Sequence, residues 1–244
     1  MEEKKKIKLN LNTVVCIIAI CVTVVAVGVL VYLVVLQNNK KIITNVIGGG
    51  STSITSIPFP DPAKPIIYLY PNEEKEVSVK LLKEDSITCS YPKYKDSWNV
   101  IAKPTGDLED VKTGRKLYSL YYESRGNIGF KIENDGFVIK GEDSAKFLED
   151  KLNVLGLTER EAEEFIVYWL PKLEANKYNY IRFATKEEIN ENMPLEINPN
   201  PDTIIRVLMI FKGLDNPIET KEQKLEKPER NGFVAVEWGG AEIK

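Results

Sequence analysis

The chain has 244 residues, 43% of them hydrophobic, with a formal charge of −3, three cysteines and no histidine. Without histidine there is no Ser-His-Asp or Cys-His catalytic arrangement and no zinc site built on imidazole. Chemistry is left to carboxylates, Lys, Ser and Tyr.

Thr13 to Leu36 is 24 residues without a charge. At about 1.5 Å per residue it covers roughly 36 Å, enough to cross a hydrocarbon core of about 30 Å. The run is too long for the apolar part of a cleaved signal peptide and ends Val-Val-Leu-Gln-Asn-Asn, with no small-residue cleavage site. It also lacks the Cys at its end that a lipoprotein requires. Residues 13–36 are therefore expected to be an uncleaved transmembrane helix whose partner is the lipid bilayer. Lys4, Lys5, Lys6 and Lys8 precede it and only Lys40 and Lys41 follow. That excess places the tail, residues 1–12, in the cytoplasm and the body of the chain outside.

Residues 37–63 contain Gly48-Gly49-Gly50, three residues of Ser and Thr, and Pro58, Pro60 and Pro62, which read as a flexible linker. Residues 64–244 are one domain by length. They hold 27 of the 33 basic residues and 33 of the 36 acidic ones, a charge of about −6, which argues against nucleic acid as a partner. Cys16 and Cys21 lie in the span, so no disulfide forms within the domain. In Ile87-Thr88-Cys89-Ser90-Tyr91 the apolar residues alternate, and Cys89 is expected to be buried on their face.

The first third of the domain reads as strands. Ile66 to Tyr70 stops at Pro71; Val77, Val79 and Leu81 alternate with polar residues, as do Trp98, Val100 and Ala102. Thr105-Gly106-Asp107 and Thr113-Gly114-Arg115 are turns, followed by one strand over Leu117 to Tyr122. Phe130 to Ile132 and Phe137 to Ile139 flank Glu133-Asn134-Asp135-Gly136 as a hairpin. The period then becomes helical. Phe147, Leu148, Leu152 and Leu155 follow a cap at Asp143 or Ser144, and Gly156 ends that helix. Thr158-Glu159-Arg160-Glu161 is a capping box opening a second helix through Phe165 and Trp169, which Pro171 kinks or ends. Strands resume at Tyr180 to Phe183, Ile204 to Phe211 and Phe233 to Trp238. Ile204 to Phe211, apolar on both faces except for Arg206, is expected at the centre of a sheet. The class is α+β: a single N-terminal transmembrane helix, then a largely antiparallel β-sheet domain with a central helix pair.

The strings KPIIYLYP (64–71), KGED (140–143), LGLTEREAEEFIVYWLP (155–171), PDTIIRV (201–207) and VEWGG (236–240) resemble those of a group of uncharacterised bacterial envelope proteins, including anchored and lipoprotein-like forms. The resemblance covers nearly the whole domain. It implies a compartment and a domain extent, and it supplies no activity and no site.

Three sets of residues are candidates for function. Glu123, after Tyr121-Tyr122, and Glu237, between Val236 and Trp238, are acids among aromatics, the kind of carboxylates that glycosidases pair as proton donor and base or nucleophile. Tyr91, Tyr94 and Trp98 surround Pro92, and with Tyr118, Tyr121 and Tyr122 they offer a platform for sugar rings or a peptide, against core packing as the plainer role. Arg206 either pairs with an acid or clamps a carboxylate ligand. Ser90-Tyr91-Pro92-Lys93 and Lys112-Thr113-Gly114 imitate two motifs of penicillin-binding proteins, but the serine ends a strand and the third motif is missing. Asn198-Pro199-Asn200-Pro201-Asp202 has too few oxygen ligands for Ca²⁺. Glu161, Glu163 and Glu164 read as solvated acids favoured by the helix dipole. The expectation is a cofactor-free, membrane-tethered extracytoplasmic module that binds glycan or another envelope protein. The alternative is a carboxylate-dependent hydrolase of envelope polysaccharide.

Overall fold

A computed structural model of the chain describes residues 63–125 and 133–243. The expected tail, anchor and linker up to residue 62, and the expected strand Phe130 to Ile132, lie outside the described residues. Among the described residues no helix is long and apolar enough to cross a membrane.

The elements in chain order are β1 (Ala63–Tyr70), β2 (Lys75–Leu81), β3 (Ile87–Tyr91), β4 (Trp98–Ala102), β5 (Leu108–Asp110), β6 (Lys116–Leu117), β7 (Leu120–Ser124), β8 (Asp135–Lys140), α1 (Ser144–Val154) and α2 (Glu159–Glu174). They continue with β9 (Tyr178–Phe183), α3 (Lys186–Asn192), β10 (Leu195–Asn198), β11 (Thr203–Leu214), β12 (Lys221–Glu222) and β13 (Val234–Glu242). The class is α+β, and most of the strand pairs are antiparallel; β11 with β13 and β12 with β8 are parallel.

Two sheets form where one was expected. An eight-stranded sheet runs β12-β8-β9-β11-β13-β1-β7-β3, and a five-stranded sheet runs β10-β2-β4-β5-β6. β11 explains the layering. Ile205, Val207, Met209 and Phe211 face one way, into a core shared with Leu148 and Leu152 of α1 and Phe165, Trp169 and Leu173 of α2. Leu208 and Ile210 face the other way, into a core shared with Val77 and Val79 of β2, Trp98 and Val100 of β4, and Ile189 of α3. A strand apolar on both faces is covered on both, by helices on one side and a second sheet on the other.

Local chemistry sets the helices. Thr158 accepts from the amide of Glu161 while Glu161 accepts from the amide of Thr158, closing the expected capping box. Gly156 has φ +84°; its amide donates to Asn153 and that of Leu157 to Leu152, which satisfies the last carbonyls of α1. Gly240 is needed for another reason: a Cβ there would lie 2.6 Å from Cζ2 of Trp169, so its absence lets α2 settle on β13.

Several expectations are corrected. Of the two expectations for Pro171, a kink or an end, the end is excluded, because α2 continues past it to Glu174. The acceptor that proline abandons belongs to Val167, on the solvated face at 69% exposure, and buried Leu173 holds the last turn on the core. Leu117 to Tyr122 is not one strand; β6 ends at Leu117 in the small sheet and β7 begins at Leu120 in the large one. Asp135 and Gly136 are not turn residues: they pair with Lys221 and Glu222 inside β8. Ala63, taken as linker, begins β1. α3 was not anticipated, although Thr185 and Glu188 close a second capping box before it. Cys89 is exposed, because β3 is an edge strand with a register shift between Ile87 and Cys89, and only Ile87 of that strand packs against a core.

Candidate functional site

Neighbouring tyrosines hold the two candidate acids apart. Tyr121 donates its hydroxyl to Oε1 of Glu123 at 2.8 Å, and Tyr122 donates to Oε1 of Glu237 at 2.7 Å. Side chains of adjacent strand residues point to opposite faces. Tyr121 packs on the helix side of the large sheet and Tyr122 is buried in the core between the sheets. Glu123 follows Tyr121, Glu237 shares the face of Ala235, and the sheet stands between them. Paired-carboxylate hydrolysis needs two acids about 5 to 10 Å apart in one cleft, which this arrangement does not provide.

Glu237 and Arg206 meet instead. The parallel register puts them opposite each other on β13 and β11; Arg206 Nε lies 2.6 Å and Nη2 2.5 Å from Oε2, and each side chain is 4% exposed. Arg206 also donates to Asn190 Oδ1 at 2.9 Å and to the Met193 carbonyl at 2.6 Å. Tyr122 supplies the remaining donor to Glu237. Burial, then the Glu237 charge, pushes the Tyr122 hydroxyl far above the usual tyrosine range, so it stays protonated and donating. Arg206 is spent on this network and does not present a clamp to solvent.

The aromatic set divides. Trp98 and Tyr122 are core at 2% and 4% exposure, which corrects their reading as a platform. Tyr94 stands edge-on to Trp98 at 4.9 Å, its hydroxyl accepting from the Leu81 amide and donating to the Asp96 carbonyl, so it braces the small sheet. Tyr91 was placed on the apolar phase of its strand, yet it is 48% exposed, for the same edge-strand reason as Cys89.

Tyr91 and Tyr121 join Tyr118 and Tyr168 around a cleft of about 530 Å³. Lys64, Ile66, Lys116, Leu117, Ser119 and Glu123 complete its walls. β1, β6, β7 and α2 converge there at the β3 end of the large sheet. Arg115 donates to the Tyr91 hydroxyl with its guanidinium 5.8 Å from that ring, and the Arg160 guanidinium lies 5.2 Å from the Tyr118 ring. Glu123 Oε1 takes two donors, the Tyr121 hydroxyl and the Lys64 amide at 3.0 Å. Burial, then the Glu123 bond, raises the Tyr121 phenol well above its usual range; burial, then Glu123, raises that of Tyr168 too.

Lys64 and Tyr168 were not foreseen. Lys64 adopts φ +54° at the irregular start of β1, a left-handed conformation that costs a non-glycine residue energy and that its sequence neighbours do not announce. Tyr168 precedes the core residue Trp169 and has no periodicity of its own to mark it; the fold brings it to β7. Three solvated acids were expected on α2, but Glu161 is 1% exposed and bonded to Arg230, and Glu164 accepts from the Tyr68 hydroxyl at 2.7 Å. Only Glu163 faces solvent. Among the described residues no group of three acids or cysteines is placed to hold a metal ion. No protein-family model, curated protein or solved structure matches the chain.

Proposed function

We propose that residues 64–244 are a binding module carried outside the cell on the 13–36 anchor, with the tyrosine cleft as its recognition surface. The observation that carries the reading is the cleft itself. It is concave, its walls are mostly aromatic and apolar, and a few polar groups are fixed in it by bonds that do not involve a ligand: Glu123 by Lys64 and Tyr121, Tyr91 by Arg115. Ligand sites are built in this way. Tyr91 and Tyr118 expose nearly half their surface there, a large aromatic area that contributes nothing to either core.

The paired-acid hydrolase finds less support. Glu123 and Glu237 lie on opposite faces of one sheet, and Glu237 is consumed by Arg206. Glycan or a second envelope protein fits the module better as partner. The test is a glycan and peptide array probed with the full chain, wild type against Tyr118→Ala and Tyr91→Ala. Loss of the wild-type signal in both variants at unchanged melting temperature is expected, whereas signal that survives both moves recognition away from the cleft.

Compartment rests on the uncharged run and the lysines that flank it. Protease added to intact spheroplasts is expected to remove the domain and spare the N-terminal tail. Protection until lysis reverses the topology.

A further inference from the structure

The cleft reverses the charge of the domain that surrounds it. Acids outnumber bases 33 to 27 over residues 64–244. Around the cleft the bases Lys64, Lys116, Arg115 and Arg160 meet three carboxylates, and two of those are already committed: Glu109 to Lys116, and Glu164 to Tyr68 and Arg160. Among the described residues Lys64 and Arg115 are the cations left without a carboxylate; Arg115 is bonded to the Tyr91 hydroxyl, and of the two only Lys64 lines the cleft. Its ammonium stands 4.6 Å from the Tyr168 ring centroid and 5.7 Å from that of Trp238, and no carboxylate among the described residues lies within ion-pair distance of it. Ring faces hold a cation by its charge and leave hydrogen-bond donors of the ammonium unspent. Glu123, the one acid lining the cleft, receives the Lys64 amide and the Tyr121 hydroxyl on Oε1, which offsets its charge.

From this we infer that the cleft takes an acidic saccharide, with a sugar carboxylate on the Lys64 ammonium and the apolar face of a ring against the exposed tyrosines. The inference rests on the reading of the cleft as the recognition surface and adds the chemistry of its ligand. A saccharide is favoured over an extended peptide by the state of the adjoining edge. A peptide strand would pair with β3, whose ladder to β7 is broken by the register shift between Ile87 and Cys89, a feature that blunts sheet edges against strand addition. The half-exposed Tyr91 and Tyr118, with fixed polar groups beside them, suit pyranose rings, which carry apolar faces and polar rims.

Calorimetry with the full chain in detergent tests this, using tetragalacturonate and its methyl ester, which differ in charge and hardly in shape. The acid is expected to bind at least tenfold more tightly than the ester. Lys64→Met should reduce the acid to the affinity of the ester without a change in melting temperature, and Lys64→Arg should keep the preference within about threefold. Binding of acid and ester with equal affinity, abolished by Tyr118→Ala, overturns the acidic inference and leaves the cleft as a recognition surface. A peptide captured on the array and lost in Tyr118→Ala, with neither saccharide bound, overturns it as well. Failure of Tyr118→Ala and Tyr91→Ala to alter any binding removes both readings together.

Discussion

Arg206 and Glu237 face each other across the parallel ladder between β11 and β13, and together with Tyr122 they close a charged network inside the fold. Removing one partner of a buried pair leaves the other charge without compensation, at about 3–5 kcal/mol, whereas replacing both with apolar groups of similar volume is often close to neutral. Glu237→Ala is therefore expected to lose about 3–5 kcal/mol in chemical denaturation. Arg206→Met combined with Glu237→Met should lose less than either single replacement. A Glu237→Ala variant as stable as wild type would show that the pair is not structural and would restore Glu237 as a candidate for chemistry.

Periodicity carried much of the domain's architecture. β11 was legible because its apolar residues ran unbroken on both faces, and the α2 capping box because its four residues are contiguous. Hidden were the things that depend on where strands go after they end. Nothing in Leu117 to Tyr122 says that the chain changes sheets at Tyr118 and Ser119, and that change exposes Tyr118 at the cleft. Alternation in β3 marked Cys89 and Tyr91 as inward, but β3 is an edge strand whose register shifts after Ile87, the only residue of the strand packed against a core. The cleft needed Lys64 and Tyr168, 104 positions apart, and no local pattern joins them. Arg206 could be seen to want an acid; which acid was fixed by register alone.

The alkaline limit of the fold should be set by its tyrosines. Burial raises Tyr68, Tyr70, Tyr121 and Tyr122 well above the usual value, and hydrogen bonds or the charges of Glu164, Glu161, Glu123 and Glu237 add to it. A raised folded value means that above about pH 10 the unfolded chain releases phenolic protons that the native state keeps. Stability is then full below that pH and falls as pH rises through the native values. Phenolate absorbance at 295 nm is expected to stay incomplete above pH 10 in folded protein and to complete in one cooperative step together with loss of the circular dichroism signal. Full ionisation at pH 11 with native dichroism would contradict the burial of these hydroxyls.

Exposure of Cys89 gives a simple chemical readout. In native protein carrying Cys16→Ser and Cys21→Ser, one thiol should react with a disulfide reagent without denaturant, and the melting temperature should not respond to reductant or chelator. With one cysteine and no histidine in the domain, neither reagent has a structural bond to break. Labelling that requires denaturant would put Cys89 back in a core.

Four substitutions on α2 and its N-cap test the packing that positions the cleft, since Tyr168 reaches β7 only if its neighbours seat the helix. Trp169 is 1% exposed, crosses Phe165, Phe211 and Tyr168, and fills the space that Gly240 leaves; Trp169→Ala is expected to cost about 3–5 kcal/mol. Thr158→Ala loses the cap, at about 1 kcal/mol. Glu161→Ala should cost more than Thr158→Ala, because it removes the reciprocal bond of the box and leaves Arg230 without its carboxylate. Glu163, on the solvated face, should change stability by no more than about 0.5 kcal/mol when replaced by Ala. Urea denaturation gives all four values, and their order carries more than their size. If Trp169→Ala remained as stable as Glu163→Ala and lost only ligand binding, the residue would belong to the recognition surface and the helix would not be anchored where Tyr168 requires it.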